Sequence, residues 1–337
     1  MSIYDRAARA LLAAEPVILV ESDEPAGTFM QHVLRANPKL LCSITGFRTN
    51  SANGALAITP VYRNKTSAVA DREEIEQLLR HCVSAYYPNV TLVLPTRTNI
   101  RWIMKCFMNE TAAFYPNLQG YQSVLTQYGN VPFVSCEVQF RYRIGTVMLR
   151  QMEETTARRV EELCKLLFPP GLLESAKCLI AHNYLADTIT YVDKQAANPL
   201  ERSCLQSAYG ALVKRECVCH GYADAYKRLL NAADIPCDLV IGRILNGSKE
   251  MHAWNIVRLR AGMISCHIDV TWDSKRCAVE STHFLKGDAF YIGKREWNRH
   301  FHSPCVDGDE LAKEAKAYCA AHRRELLASG LDPRWIE

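Results

Sequence analysis

The sequence predicts an α+β protein in which a cysteine-bearing helix packs on an antiparallel sheet, preceded by an α+β region with two β-α-β-β repeats. Three observations predict this. Helix-period apolar spacing begins abruptly after Cys219. Three strand-like runs joined by short turns follow that helix. The region before residue 149 carries one order of elements twice.

The 337 residues, 48% of them hydrophobic, suffice for two domains with separate cores. The sequence divides into an accessory region, 1–148, and a catalytic domain, 149–337. Ala7, Ala8, Leu11 and Leu12 mark an opening helix. A tandem repeat then occupies 13–86 and 87–148. In the first copy Pro16-Val17-Ile18-Leu19-Val20 is a strand, Phe29 to Leu34 is a helix, and two strand runs end at Val61-Tyr62-Arg63. In the second, the counterparts are Val90 to Leu94, Ile100 to Met108 and Arg141-Tyr142-Arg143. Asn37-Pro38-Lys39-Leu40 is echoed by Tyr115-Pro116-Asn117-Leu118. Helical stretches follow, Glu73 to Tyr86 and Met152 to Phe168. Apolar patterns recur by chance, but the paired Tyr-Arg endings favour duplication. Nothing in the region reads as a second active site, so an accessory role is expected: covering a cleft, recognising substrate or self-association.

In the catalytic domain, Tyr222, Tyr226, Leu229 and Leu230 follow Cys219 in steps of three and four, and Pro236 stops the helix. Cys219 therefore stands at a helix N-terminus. The unpaired N–H groups and positive dipole end there favour thiolate over thiol and could stabilise an oxyanion. Gly221 keeps the turn slim enough for another backbone or a substrate. With fourteen cysteines, any single one is by default a small buried residue, and Cys217 takes that reading.

Asp238 to Leu245 reads as a strand, Asn246-Gly247-Ser248 as a turn, His252 to Arg260 as the next strand, Ala261-Gly262 as another turn, and Met263 to Val270 as the third strand. An antiparallel meander places His252 and Asp269 on neighbouring strands, and period-two alternation lets both point toward the Cys219 helix. A thiol needs a base, and the base needs a partner that holds its ring and charge. Most of the ten histidines read as surface or structural. His252 differs because Trp254 shares its face and supplies an apolar wall. Asp273, expected in the following loop, is the alternative acid, and Asp269 is preferred because a strand positions a side chain more rigidly. A C-terminal helix over 309–329 is expected from the stripe Leu311, Ala315, Tyr318 and Leu326, with Gly330 as its stop.

Tyr209 to Val213, Val218-Cys219-His220-Gly221-Tyr222-Ala223, His252-Ala253-Trp254-Asn255 and Asp269-Val270-Thr271-Trp272-Asp273 together resemble the bacterial transglutaminase-like superfamily. These are papain-related cysteine enzymes with a papain/transglutaminase-like core. The resemblance extends to His182-Asn183-Tyr184-Leu185 and Tyr191 upstream and to Phe284 to Asp288 downstream, covering about residues 150 to 305. It implies Cys219 as nucleophile, His252 as general base and acid, and Asp269 as the residue that orients His252. It also implies an oxyanion assistant, for which Gln206 and Tyr209 are candidates, while His220 occupies a position that is often glutamine or another polar residue. The chemistry implied is acyl transfer through a thioester. Hydrolysis of peptide or isopeptide amides is the default, because water is always present. Amine transfer, peptide cyclisation and a catalytically inactive binding module are the alternatives.

The net charge of +4 is not gathered into a basic run, Arg323-Arg324 being short, and no zinc-finger, helix-turn-helix or RNA-binding motif is present. The expected partner is a protein or peptide substrate, with no nucleic acid and no membrane; the oligomeric state is left open. Met1-Ser2-Ile3-Tyr4-Asp5 enters a helical pattern rather than a signal peptide, and no apolar run is long enough for a membrane helix. Reduced cysteines in a cytoplasmic protein are therefore expected. Cys217, Cys219 and His220 crowd together, as do Cys266 and His267, but no C-x-x-C pair exists. Neither a metal nor another cofactor is expected.

Overall fold

The computed structural model describes residues 2–337 apart from 39, 41–43, 53, 63–65, 69–71, 97, 112, 128–132, 194, 246–249, 275–281 and 300–301. The Asn246-Gly247-Ser248 turn, Lys39 and Arg63 lie outside the described residues. The chain forms two compact units, Met1–Tyr142 and Arg143–Glu337.

The first unit opens with α1 (Ile3–Leu12), started by a capping box in which Ser2 and Asp5 bond each other's backbone N–H. There follow β1 (Ile18–Glu21), α2 (Ala26–Ala36), β2 (Ile44–Ala52), β3 (Ala55–Tyr62), β4 (Thr66–Ala68), α3 (Arg72–Ser84), β5 (Asn89–Pro95), α4 (Ile100–Thr111), β6 (Leu118–Gln127) and β7 (Phe133–Tyr142). Two sheets result, ordered β1-β3-β2 and β4-β5-β7-β6. Phe29, Met30, Val33 and Leu34 of α2 pack with Ile18 and Ile58. Ile103, Met104 and Phe107 of α4 pack with Leu92 and Val138.

Both stretches run strand, helix, strand, strand, and in both sheets the last of these strands lies between the other two. They share two finer details. The register shifts between Ile44, paired with Tyr62, and Gly46, and between Leu118, paired with Tyr142, and Gly120. The Tyr62 hydroxyl donates to Glu15 O at 2.5 Å, and the Tyr142 hydroxyl to Tyr87 O at 2.9 Å, each just ahead of the strand that opens its copy, β1 or β5. The repeated tyrosines thus tie the end of each stretch to its beginning.

The second unit contains α5 (Thr146–Leu167), α6 (Glu174–Thr188), β8 (Thr190–Tyr191), α7 (Pro199–Leu205), a π-helical turn (Gly210–Lys214), β9 (Glu216–Cys217), α8 (Cys219–Ala232), β10 (Cys237–Ile244), β11 (Met251–Leu259), β12 (Ile264–Ile268), α9 (Val270–Asp273), α10 (Asp288–Tyr291), β13 (Arg295–Trp297), α11 (Asp309–Ala321), α12 (Arg323–Ala328) and a 3-10 turn (Pro333–Trp335). The antiparallel sheet is ordered β12-β11-β10-β13. On one face Val257, Leu259 and Ile268 join Tyr226, Leu229 and Leu230 of α8 and Leu179, Ile180 and Leu185 of α6. On the other, Trp254 and Ile256 pack with Tyr291 and Trp297. The C-terminal segment is two helices rather than one, broken at His322; Leu311, Ala315 and Leu326 are buried as the apolar stripe requires, and Gly330 takes a left-handed φ of 97° after the second helix.

Gly221 has a specific steric reason. A Cβ there would lie 2.5 Å from Cys217 Cβ, 2.9 Å from Leu205 O and 3.0 Å from Ser207 O. Backbone atoms cannot give way as a flexible side chain can. Gly221→Ala is expected to cost about 1–3 kcal/mol, visible as a lowered thermal midpoint; an unchanged midpoint contradicts this packing.

Candidate active site

Cys219 is the first residue of α8, preceded by Val218 in extended conformation, with no side chain capping the helix. This end of α8 is fixed on several sides. Val218 N–H donates to Leu205 O at 3.0 Å, and the Tyr222 hydroxyl donates to Ile189 O at 2.8 Å. The Asp224 carboxylate accepts Ala208 N–H at 2.8 Å and pairs with Arg228, which in turn grips Glu153 of α5. Burial opposes the Asp224 charge, but Arg228, His220 and the Ala208 N–H together hold its carboxyl below the usual range. Cys219 is only partly buried, whereas Cys217, two residues earlier in β9, is fully buried and its thiol is pushed well up by desolvation.

His252 is the second residue of β11. Asn255, three residues on, donates to Ala223 O of α8 at 2.9 Å and to Asp238 O of β10 at 3.2 Å. That tie sets helix against strand one turn from Cys219. Asn255, Val257 and Leu259 face α8, while the His252 ring stacks on Trp254, at 6.0 Å between centroids and 18° between planes, on the opposite face. Strand alternation therefore does not aim His252 at the helix, as the sequence implied. Contact with Cys219 is made at the end of the sheet, where helix and strand both begin.

Asp269 follows β12 directly and serves as N-cap of α9, its Oδ1 accepting Trp272 N–H at 3.3 Å. Its rigidity comes from this cap and not from a strand. Its Oδ2 lies 2.7 Å from His252 Nε2. The carboxylate side makes Nε2 the donor and leaves Nδ1 as the ring nitrogen available to the Cys219 thiol, which adds to the forces favouring the His252 cation. Burial disfavours the His252 cation, but Asp269 first and Cys219 second overcome it and raise His252 to about 9. The Asp269 carboxyl, although its burial acts the other way, is held far below the usual range by His252 and Arg295.

Because His252 titrates at 6.5 when unperturbed and at about 9 in the fold, its contribution to stability is fully present below pH 6.5 and lost as pH rises through 9. The gap corresponds to roughly 3 kcal/mol. The stability difference between wild type and His252→Gln is accordingly expected to shrink by about that amount between pH 6 and pH 10 in denaturant titrations. A pH-independent difference contradicts the His252–Asp269 pair.

Asp273 ends α9 and is buried, but it turns away from His252. It accepts from His182 Nε2 at 3.3 Å, from His283 N–H at 2.9 Å and from His283 Nδ1 at 2.9 Å, so it joins His182 and His283. Gln206 caps the C-terminus of α7, and its Oε1 accepts Arg143 Nη1 at 2.7 Å. Tyr209 precedes the π-helical turn, with the Lys214 ammonium 5.8 Å from its ring centre. His220 sits beside Asp224. The geometry thus brings His252, Asp269 and Trp254 into contact beside Cys219, while the residues flanking Gln206, Leu205 and Ser207, lie against the start of α8.

Three residues at the site were not legible in the sequence. Asn255 sets the helix against the strand. Trp272 lays its ring 5.8 Å from that of His252. Arg295 places Nη1 2.7 Å from Asp269 Oδ2.

Behind Trp254, His267, Asp288 and Cys305 bring a ring nitrogen, a carboxylate oxygen and a thiol within 4.8 Å of one another. Trp254 Nε1 donates to His267 Nδ1 at 3.0 Å, so Nε2 carries the proton and donates to Asp288 Oδ1 at 2.8 Å. The Cys305 thiol bonds Asp288 and Ser303 O. Burial lowers His267 to about 4 and holds it neutral. The three side chains are thus joined by hydrogen bonds to one another, to Trp254 and to Ser303 O.

A sequence model of the transglutaminase-like superfamily core matches residues 172–269, a span that begins just before α6 and ends on Asp269. The second unit thus carries a stretch similar to the transglutaminase-like core, in an α+β domain built as a cysteine-bearing helix on an antiparallel sheet. No curated protein matches the chain. Among solved structures, a proposed cysteine protease from Cytophaga hutchinsonii is similar at 13% identity, covering 45% of this chain and 62% of that one, with a TM-score of 0.29. A protein described as a TGase is similar at 12% identity, covering 86% of this chain and 82% of that one, with a TM-score of 0.30. The chain therefore spans less than two thirds of the first of these structures. At such TM-scores the fold rests on the chain's own elements and the superfamily match.

Among the described residues, no helix is long and apolar enough to cross a membrane.

Proposed function

We propose that the second unit is a cysteine-dependent acyl-transfer enzyme that hydrolyses peptide or isopeptide amides through a thioester. The observation that carries this reading is the single imidazole of His252, bonded through Nε2 to a buried carboxylate and acted on by a thiol at a helix start. In that arrangement His252 takes the Cys219 proton, and the thiolate attacks the amide carbonyl carbon. Collapse of the tetrahedral adduct breaks the C–N bond, with the His252 proton passing to the departing amine. Water then loses a proton to His252, attacks the thioester, and releases the acid and the thiolate. First-turn N–H groups of α8 supply donors for the oxyanion. Asp269 keeps the ring oriented and its cation stabilised throughout.

Cys219 is partly exposed while its partners are buried, as a site open to substrate from the thiol side requires. The test is an activated ester such as p-nitrophenyl acetate. The reading expects a burst of p-nitrophenol with an acetyl group on Cys219, found by peptide mass spectrometry, then turnover into water. Acetylation spread over other cysteines, or none at Cys219, refutes it. Product that forms only when an amine is added shifts the assignment to amine transfer.

A further inference from the structure

Arg295 is a buried cation in an unusual setting. It opens β13, where Ile244↔Arg295, Arg243↔Glu296 and Gly242↔Trp297 pair the strand to β10. Gly242 permits the close approach: a Cβ there would meet Glu296 O at 2.4 Å and the Trp254 ring at 2.6 Å. The guanidinium is stacked among Tyr291, Trp272 and Trp254, at 4.1, 4.6 and 4.9 Å from their ring centres. Its Nη1 is 2.7 Å from Asp269 Oδ2, the same oxygen that lies 2.7 Å from His252 Nε2. Yet neither Nη1 nor Nη2 has a well-aligned hydrogen-bond acceptor among the described residues. As a means of stabilising a core this is poor, since a buried cation with unfilled donors costs more than an apolar side chain of the same size.

The arrangement of charge gives it a use. Arg295, Asp269, His252 and Cys219 form a chain of contacts whose charges alternate when the thiol has passed its proton to the imidazole: plus, minus, plus, minus. Passing the proton from thiol to imidazole leaves the net charge of this group unchanged, so what Arg295 sets is how readily the group takes up a further proton: with it the ion-pair state is neutral overall, and without it that state carries a net negative charge and is protonated at higher pH. At the Cys219 end the titratable neighbours are Cys217, fully buried, and His220 beside Asp224; at the other end they are engaged as follows. His283 is held by Asp273, His267 by Asp288, and Tyr291 lies against Arg295 itself.

We infer that Arg295 is a positioning residue of the acyl-transfer site: held at the shared Asp269 oxygen, its charge keeps the Cys219 thiolate–His252 imidazolium pair from taking up a proton until lower pH. The inference rests on the Cys219–His252 reading above and adds a residue beyond the superfamily span.

The test is the pH profile of Cys219 alkylation by iodoacetamide in the full chain, mapped by peptide mass spectrometry, for wild type, Arg295→Met, Arg295→Gln and Arg295→Lys. Removing a nearby positive charge raises the proton affinity of every group in the chain of contacts. The acidic limb of the profile should move up by roughly one pH unit in the neutral variants, so that labelling at pH 6 falls about tenfold. Arg295→Lys, which keeps the charge without the planar fork, should restore the limb to near the wild-type position. Limbs in the neutral variants that coincide with wild type overturn the inference. So does failure of both neutral variants to fold, which would assign Arg295 to the core alone. If wild-type Cys219 is itself no more reactive than the other cysteines, the acyl-transfer reading fails first, a result distinguishable from an unshifted limb.

Discussion

Cys219→Ala should abolish acyl transfer while leaving the second unit folded. The thiol is partly exposed at the first position of α8, where alanine is well tolerated and removes little packing. Loss of an activated nucleophile typically lowers kcat by at least about 10⁴-fold. The thermal midpoint should change by no more than a few degrees, and what change there is should come from the imidazolium losing its thiolate partner. The check is the activated-ester assay beside thermal unfolding. Retained burst kinetics in Cys219→Ala would transfer the nucleophile elsewhere in the chain.

Asp269→Asn should be the more damaging change, because two different functions meet on one side chain. Asparagine can still cap α9, so the local turn survives. The charge does not. His252 and Arg295 would be left as neighbouring buried cations without an anion, and breaking such a pair from one side costs about 3–5 kcal/mol. His252 would also lose the acceptor that fixes which nitrogen carries the proton, and activity should fall by about 10³–10⁴-fold. The double variant Asp269→Asn, Arg295→Met separates the two effects: stability should recover in part, because the orphaned guanidinium is gone, while activity stays lost. Denaturant titration and the ester assay read these independently. A double variant no more stable than Asp269→Asn alone would mean that the Arg295–Asp269 ion pair carries no weight.

The parts of the architecture visible in the sequence were those set by local rules. The helix after Cys219 shows in its three- and four-residue spacing, and its start is visible because the periodicity begins there. The meander β10-β11-β12 shows because short turns separate apolar runs. Trp254 could be placed beside His252 by alternation alone. Arg295 was hidden for a reason of the same kind. It stands in Lys294-Arg295-Glu296, a charge run that ordinarily means solvent. Only the Arg295-x-Trp297 alternation of a three-residue strand hinted that the arginine points inward with the tryptophan. Asn255 was equally silent, since its two acceptors, on α8 and β10, are brought together by the tertiary fold. Asp269 was placed on a strand because the apolar run extends to Val270, whereas its own carboxylate ends the strand by capping the next turn. In the first unit the duplicated tyrosines were visible as a pattern, but their hydroxyl bonds to Glu15 and Tyr87 were not.

The most direct test of the central claim is site-resolved alkylation of the purified wild-type chain by iodoacetamide across pH, with His252→Ala alongside. A working Cys219–His252 pair predicts that Cys219 labels ahead of the buried cysteines, that labelling persists well below the free-thiol range around pH 8.5, and that this acid-side reactivity disappears in His252→Ala. Labelling of Cys219 no faster than the other cysteines, or a profile indifferent to His252, would contradict the account.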